Sequence, residues 1–356
     1  MQRIGIVGIG NISKLYLDNF TGIFKDKVKV TSVTDTSFDR AQKAADDYNV
    51  KAYKSLDEML ESSDTDIILN ITQPKYHYEL ALAAIKSGRH VYNEKPICIK
   101  RAEAEHLIKT AEKKGVRIGC APDTFLGAGL QTCRKLIDDG SIGKPVAATA
   151  FIMDRGPEHW HPSPHFFYQE GAGPMFDMGP YYLTALVSLL GHVVRICGSA
   201  KISMPERTIT SQQLYGEKMK VEIPTHITGI LDFANGAVGN IITSFDVYSH
   251  SLPCLEIYGT EGTLKIPDPN YFGGQVLYKK QREENWTDVP LISNYTENVR
   301  GLGIVDMAQA IEENRAHRVS AQLAYHVLDI MHGIHDASKS GKYYKPKSSC
   351  NRPAAL

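Results

Sequence analysis

Residues 1–13 read MQRIGIVGIGNIS, an apolar run from Ile4 to Ile9 that passes through Gly8-Ile9-Gly10-Asn11-Ile12-Ser13 into a helical pattern. The run has the length of a buried parallel strand, and the glycines mark the turn at its end. A strand, a glycine turn and a helix amino terminus are what a dinucleotide pyrophosphate needs. Gly8 permits the tight turn and Gly10 keeps a Cβ away from the phosphate oxygens. The helix start at Asn11 and Ile12 offers unpaired N–H groups and the positive end of a dipole. Ser13 takes the place of the fingerprint's third glycine, a departure that tests helix-to-strand packing at that point.

A second strand, Val28 to Thr34, alternates as strands do and ends at Asp35, close to where a carboxylate accepts the adenosine ribose hydroxyls. Such a carboxylate repels a 2′-phosphate, so NAD is expected and NADP is not excluded. Arg40, about one helical turn beyond, is placed to pair with a phosphate. Asp35 also has a plainer reading as a strand-end turn residue, which the arrival of strand, glycine turn, helix, strand and acid in succession disfavours.

With 356 residues the chain is long enough for two cores, since a single core rarely grows beyond about 250–300 residues. Forty basic and forty acidic residues cancel, which gives no electrostatic case for nucleic acid or an anionic membrane surface as partner. The six cysteines show no C-x-x-C spacing and fit reduced thiols. A strand that starts almost at Met1 leaves no room for a signal peptide, and no apolar run spans a bilayer, so a cytoplasmic location is expected.

Strands and helices alternate up to Gly119. Ser55-Leu56-Asp57-Glu58 is a capping box, Asp66 to Ile71 is a buried strand with Thr72-Gln73-Pro74 at its end, and His90-Val91-Tyr92 is the next strand. This is the pattern of a doubly wound parallel sheet, in which ligands bind beyond the carboxyl ends of the strands. The glycine turn, Asp35, Thr72, Gln73, Pro74 and Glu94-Lys95-Pro96 therefore share one rim. Lys95 is a candidate to stabilise the alkoxide that develops during hydride transfer, against its plainer reading as a solvated lysine. His77 is expected to support the cofactor loop rather than to ionise. Beyond Pro122 the pattern changes to strands at Val146 to Met153, Val193 to Ile202, Thr225 to Phe233, Ala237 to Phe245 and Leu255 to Ile266, with a hairpin signal at Asn235-Gly236 and helices at Leu302 to Glu313 and Ala321 to Ser338. The expected domains are 1–123, dinucleotide-binding, and 124–356, an α+β domain with a mostly antiparallel sheet for substrate binding and oligomerisation.

With Gly8-Ile9-Gly10-Asn11, Glu94-Lys95-Pro96, the run 136–145 (LIDDGSIGKP) and the run 171–179 (GAGPMFDMG) in place, the sequence resembles the Gfo/Idh/MocA family, named for glucose-fructose oxidoreductase and inositol dehydrogenase. The resemblance implies an NAD(P)-dependent oxidoreductase of sugars, cyclitols or sugar derivatives, built from a Rossmann domain and an open-faced sheet domain that forms dimers or tetramers. It also implies that Lys95 acts on the reacting hydroxyl together with an aspartate, here Asp177, and a histidine four residues further on. That last position holds Tyr181. Tyrosine starts about 3.5 pKa units, or about 5 kcal/mol, behind histidine as a base at neutral pH. Tyr181 therefore serves as a base only beside a charge such as Lys95, and otherwise as a proton donor or a hydrogen-bonding partner. Asp177 has the alternative reading of a helix N-cap.

The loop Asp154 to Gly173, reading DRGPEHWHPSPHFFYQEGAG, is expected to wall the substrate cavity. Trp160 and Tyr168 are candidates to stack on a sugar, and Arg155, His161 and His165 to hydrogen-bond it. His159, His161 and His165 invite a metal reading, but no supporting Glu-x-x-His or cysteine pair accompanies them and no metal is expected. Two other functions fit the same pattern: an NAD-dependent glycosidase that oxidises its sugar transiently, and a non-catalytic regulator that binds dinucleotide as a signal.

Overall fold

A computed structural model describes residues 1–356. The chain forms two compact units, one made of 1–123 and 298–325 and the other of 124–297 and 326–356.

The first unit is a parallel sheet. Its strands are β1 (Gln2–Val7), β2 (Val28–Thr34), β3 (Lys51–Tyr53), β4 (Ile67–Asn70), β5 (His90–Asn93) and β6 (Ile118–Cys120), in the order β3-β2-β1-β4-β5-β6. The crossover helices include Ser13–Thr21, Phe38–Tyr48, His77–Lys86 and Arg101–Lys114. All of β4 is buried, as a strand covered on both faces by helices must be. The capping box forms: Ser55 Oγ accepts from the Glu58 amide at 3.2 Å.

Residues 298–325, expected with the second domain, pack on the first unit instead. The helix Leu302–Glu312 is buried along most of its length, so it needs a core to cover it. Asp123 supplies the anchor, its Oδ2 accepting the amides of Gly301 and Gly303 at 2.9 Å each. Asn19 adds to this by donating to the carbonyls of Asn298 and Arg300.

The second unit holds an eight-stranded sheet and a small two-stranded one. Its strands are β7 (Pro145–Met153), β8 (Val193–Lys201), β9 (Glu206–Thr208), β10 (Lys218–Lys220), β11 (His226–Phe233), β12 (Val238–Ser244), β13 (Leu255–Gly259), β14 (Gly262–Ile266), β15 (Val276–Lys280) and β16 (Thr287–Val289). The large sheet runs β16-β15-β14-β13-β7-β12-β11-β8, antiparallel at every step except β7 to β12. The stretch Leu255 to Ile266, expected as one strand, is a hairpin: the chain turns at Thr260-Glu261 and β13 pairs with β14. The apolar helix Gly179–Leu190 is buried throughout its length. No helix is long and apolar enough to cross a membrane.

The final residues are irregular but anchored. His326 is fully buried; the Val193 amide donates to its Nε2 at 2.9 Å, and Nδ1 lies 2.9 Å from Ser348 Oγ, which in turn donates to Asp329. A proton on Nε2 would break the Val193 bond. Burial, with help from His192, pushes the His326 imidazole down to about 4, although Asp329 pulls the other way. The unfolded chain takes up this proton near pH 6.5, and the folded one does so only near pH 4. Within that window the unfolded state binds more protons, so stability is full above about pH 6.5 and declines towards pH 4 by an amount on the order of 3 kcal/mol for this one group. Urea denaturation at pH 7.0 and pH 4.5 measures the decline, which His326→Gln should make shallower.

Candidate active site

In the first unit the residues expected to hold a dinucleotide meet at one rim. Gly8 has φ of +98°, and a Cβ there would lie 3.0–3.2 Å from Thr72 and Ile71, so the turn requires glycine twice over. A Cβ at Gly10 would meet nothing within 4 Å, which leaves the backbone there open to an approaching phosphate. Asn11 is exposed beside it, and Ile12 begins the helix Ser13–Thr21 with no side chain capping its amides. Ser13 fits where a third glycine was expected: it is buried, and its hydroxyl donates to the Gly10 carbonyl at 2.7 Å.

Asp35 ties the turn to the second strand. Oδ2 accepts the Ile9 amide at 2.7 Å, and Oδ1 accepts the Ser37 amide at 2.7 Å and the Arg40 guanidinium at 2.6 Å. Burial opposes the charge, but the Ser37 amide, Arg40 and the Ile9 amide outweigh it and hold the carboxyl below its ordinary value. Arg40 thus pairs with a carboxylate, where the sequence suggested a phosphate.

The next two loops are fastened together. His77 is fully buried, with Nδ1 2.7 Å from the Pro96 carbonyl and Nε2 3.0 Å from the Thr72 carbonyl. Burial holds its imidazole below the ordinary value, so it supports the loops as a neutral ring. Thr72 donates to Asn70, Gln73 is exposed, and Pro74 opens a short turn before the His77 helix. Glu94 is buried and accepts from Tyr16 Oη at 2.7 Å and from the Lys95 amide at 2.9 Å, which ties the lysine's backbone to the helix that follows the glycine turn.

The second unit contains a cavity of about 330 Å³ lined by Asp154, Trp160, Asp177, Tyr182, His250 and Asp268, among others. Asp154 sits just past the carboxyl end of β7, where its Oδ1 accepts the Gly156 amide at 2.6 Å. Desolvation raises its carboxyl above the ordinary value and Asp177 adds to the rise, although the side chain keeps access to solvent. Asp177 is no N-cap. It ends the short helix Pro174–Asp177, and a break at Met178 separates it from the helix Gly179–Leu190 that carries Tyr181. The two residues therefore do not share one continuous helical face. Tyr181 is buried and does not line this cavity; its neighbour Tyr182 does, donating to Asp268 at 3.1 Å.

Of the aromatic loop, Trp160 lines the cavity and Tyr168 does not. Tyr168 is fully buried in a small core with Phe167, Ile209, Met219, Val221 and Phe245, and its hydroxyl donates to Glu158, so stacking on a sugar is closed to it. Arg155 and the rings of His161 and His165 line no part of the cavity; Arg155 is exposed, and the Ser163 amide donates to His161 Nδ1. No group of three or more His, Cys, Asp or Glu side chains is placed to hold a metal ion. Sequence reasoning missed Tyr182, His250 and Asp268, which no local motif marks. Asp154 was within reach, because the carboxyl end of a strand is where such residues collect.

Arg207 holds the loop in place. Its side chain is only 4% exposed and donates to Glu158, to Asp246 and to the Phe245 carbonyl. Glu158 also receives the amides of Thr210 and Ser211 on its carbonyl.

Residues 2–121 match the oxidoreductase family with an NAD-binding Rossmann fold, and 130–265 match the GFO/IDH/MocA C-terminal domain. The chain belongs to the Gfo/Idh/MocA family. Within that family it is 24% identical over 265 residues to a myo-inositol 2-dehydrogenase of Thermotoga maritima, covering 74% of each chain. It is 25% identical over 291 residues to a D-glucoside 3-dehydrogenase of Escherichia coli, covering 79% of this chain and 82% of the relative. A levoglucosan dehydrogenase solved with NADH and L-sorbose shares the fold at a TM-score of 0.84 and 17% identity, covering 98% of this chain and 99% of that one. The first unit is accordingly the NAD-binding Rossmann domain of a Gfo/Idh/MocA oxidoreductase.

Arg207→Ala leaves Glu158 and Asp246 buried without their cation and should cost about 3–5 kcal/mol in stability. A denaturant midpoint that moves by less than a third of that amount would show the cluster to be dispensable.

Proposed function

We propose that this chain is an NAD(P)-dependent dehydrogenase that moves hydride between nicotinamide and a CH–OH group of a sugar, cyclitol or sugar derivative. One observation carries the reading. The open turn at Gly10, the Asp35 carboxylate and the Lys95 loop belong to a single hydrogen-bonded rim, in which Tyr16 bonds Glu94 and Glu94 bonds the Lys95 amide. The named relatives, which act on a cyclitol and a glucoside, support the substrate class.

When bound, NAD supplies the hydride acceptor. The residues that would hold it are Gly8, Gly10, Asn11 and Ile12 at the pyrophosphate and Asp35 at the ribose, with Thr72, Gln73, Pro74, His77 and Glu94 shaping the rim. Asp35 retains the capacity to accept a ribose hydroxyl, because Oδ2 receives only the Ile9 amide whereas Oδ1 already serves Ser37, Thr36 and Arg40. Arg40, 58% exposed at its side chain, is bonded to Asp35 Oδ1, and it is the carboxylate that favours NAD over NADP by repelling a 2′-phosphate.

Lys95 takes the role of polarising the reacting oxygen and stabilising the alkoxide as the C–H bond breaks. Asp177, on the cavity wall, takes the role of orienting the hydroxyl, as the family resemblance implies; Tyr181 stands where that resemblance implies a histidine and is buried off that wall, so no contact with the substrate is assigned to it. Trp160, on the cavity wall, lies against the sugar. We further propose a cytoplasmic homodimer or homotetramer formed through the outer face of the eight-stranded sheet, where Ile230 and Val238 stand exposed.

Lys95→Ala should lower kcat by about 10²–10⁴ and leave NADH binding within a few-fold, as measured by turnover and cofactor fluorescence on the same preparation. Equal turnover by the variant would remove Lys95 from the mechanism. Asp35→Ser should raise the NADP-to-NAD ratio of kcat/KM at least about tenfold, because the group that repels the 2′-phosphate is gone.

A further inference from the structure

Trp160 lines the cavity of the second unit, yet it is 60% exposed. Leaving an indole in water forgoes burial worth roughly 25 cal/mol per Å², so a tryptophan kept outside needs a reason. The loop does not lack ways to bury aromatic rings: Phe167 and Tyr168, a few residues on, enter the small core beside β9 and β10.

Nor is Trp160 loosely held. The amides of Trp160 and His161 both donate to the Pro157 carbonyl, at 3.2 and 2.8 Å, and Glu158, next to that proline, is bonded to the buried Arg207. The His161 ring meets Trp160 at 5.2 Å and 74°, and meets Phe166 at 5.3 Å and 80°. Phe166 is itself 46% exposed and rests on the buried Phe167 at 4.0 Å. These contacts form a braced aromatic ledge, one end of which is part of the cavity wall. Edge-on packing by His161 supports the indole and leaves ring surface uncovered, the geometry in which an aromatic ring receives a flat ligand face.

The cavity wall is mixed, with Asp154, Asp177, Asp268 and Tyr182 beside apolar residues such as Phe151, Met178 and Leu252, and suits the hydroxyls and C–H faces of one ring. The ledge differs in offering no carboxylate, only exposed flat rings outside the cavity. We infer that the substrate is a glycoside whose reacting ring occupies the cavity while its second ring, sugar or aglycone, stacks on Trp160. This rests on the dehydrogenase reading and narrows its substrate class.

The chain has two tryptophans, so Trp286→Phe leaves Trp160 as the sole reporter. That full-length variant, saturated with NADH to prevent oxidation, is titrated with one-ring probes (D-glucose, D-galactose, myo-inositol) and two-ring probes (cellobiose, lactose, phenyl β-D-glucopyranoside). At least one two-ring probe should shift or quench Trp160 emission, and the one-ring probes should not. In the otherwise natural chain, Trp160→Ala should lower the two-ring to one-ring ratio of kcat/KM by about three- to tenfold.

The proposal is overturned if no two-ring probe moves the emission, if one-ring probes move it equally, or if the ratio is unchanged in Trp160→Ala. It is also overturned if the ligand-free emission is already that of a buried indole and varies with protein concentration, which would assign the ledge to a second copy of the chain. An emission response from a two-ring probe without oxidation of any sugar would sink the dehydrogenase reading, and with it the assignment of a reacting ring, while keeping Trp160 as a stacking site. Oxidation without an emission response would sink this proposal alone.

Discussion

In a sheet whose six strands all run the same way, every carboxyl end emerges on one edge, and each chain must turn there before its helix returns it. That constraint brings Gly8, Asp35, Thr72 and Glu94, the residues following β1, β2, β4 and β5, to a single rim although eighty-six residues separate the first from the last. Parallel topology alone would deliver four loose loops. Hydrogen bonds, buried or partly buried, make them one object: the Ile9 amide to Asp35, His77 between the Thr72 and Pro96 carbonyls, and Tyr16 to Glu94. Each joins segments that follow different strands, so the rim is preorganised for a ligand that touches all of them.

The second unit solves the same problem by different means. Its strands are mostly antiparallel, and no common edge gathers the functional residues. The cavity wall draws instead on the end of β7, the break between two helices at Met178, and the segments that follow β12 and β14. The loop after β7 has little regular structure to hold it, so a buried cation does: Arg207 on β9 bonds Glu158 in the loop and Asp246 past β12. Burying a guanidinium is tolerable only with both carboxylates present, and that mutual requirement specifies where the loop lies.

How much of this was legible in the sequence follows from the range of each interaction. The Rossmann half was legible because strand, turn and helix signals are local, and even Ser13 obeys a local rule once its hydroxyl finds the Gly10 carbonyl three residues back. The resemblance to the family rested on equally local motifs. Tyr168 was misread because its burial depends on Met219, Val221 and Phe245, remote in sequence, and its partner Glu158 is set by Arg207. Asp177 and Tyr181 have helical spacing, but Gly179-Pro180 lies between them, and a proline at the first turn opens a new helix rather than continuing an old one, so this break had a local signal. The return of 298–325 to the first unit was invisible because it depends on Asp123 receiving two amides from almost two hundred residues away.

His77 shows how such a rim couples charge to geometry. Both of its ring nitrogens face carbonyl oxygens, and a carbonyl only accepts. A neutral imidazole has one N–H, so it satisfies one carbonyl and presents a lone pair to the other; only the imidazolium would satisfy both. Burial is the largest influence against that second proton, and the Lys95 charge adds to it, while the two carbonyls and Glu94 favour it. The balance leaves the ring neutral, and one of the two loops is then held less firmly than the other. The ring's own bonds go only to those two backbone carbonyls, so it links the Thr72 and Pro96 loops and nothing else. Replacing His77 with an apolar residue of similar size would remove the ring's one donated bond and leave the carbonyl that receives it without that partner.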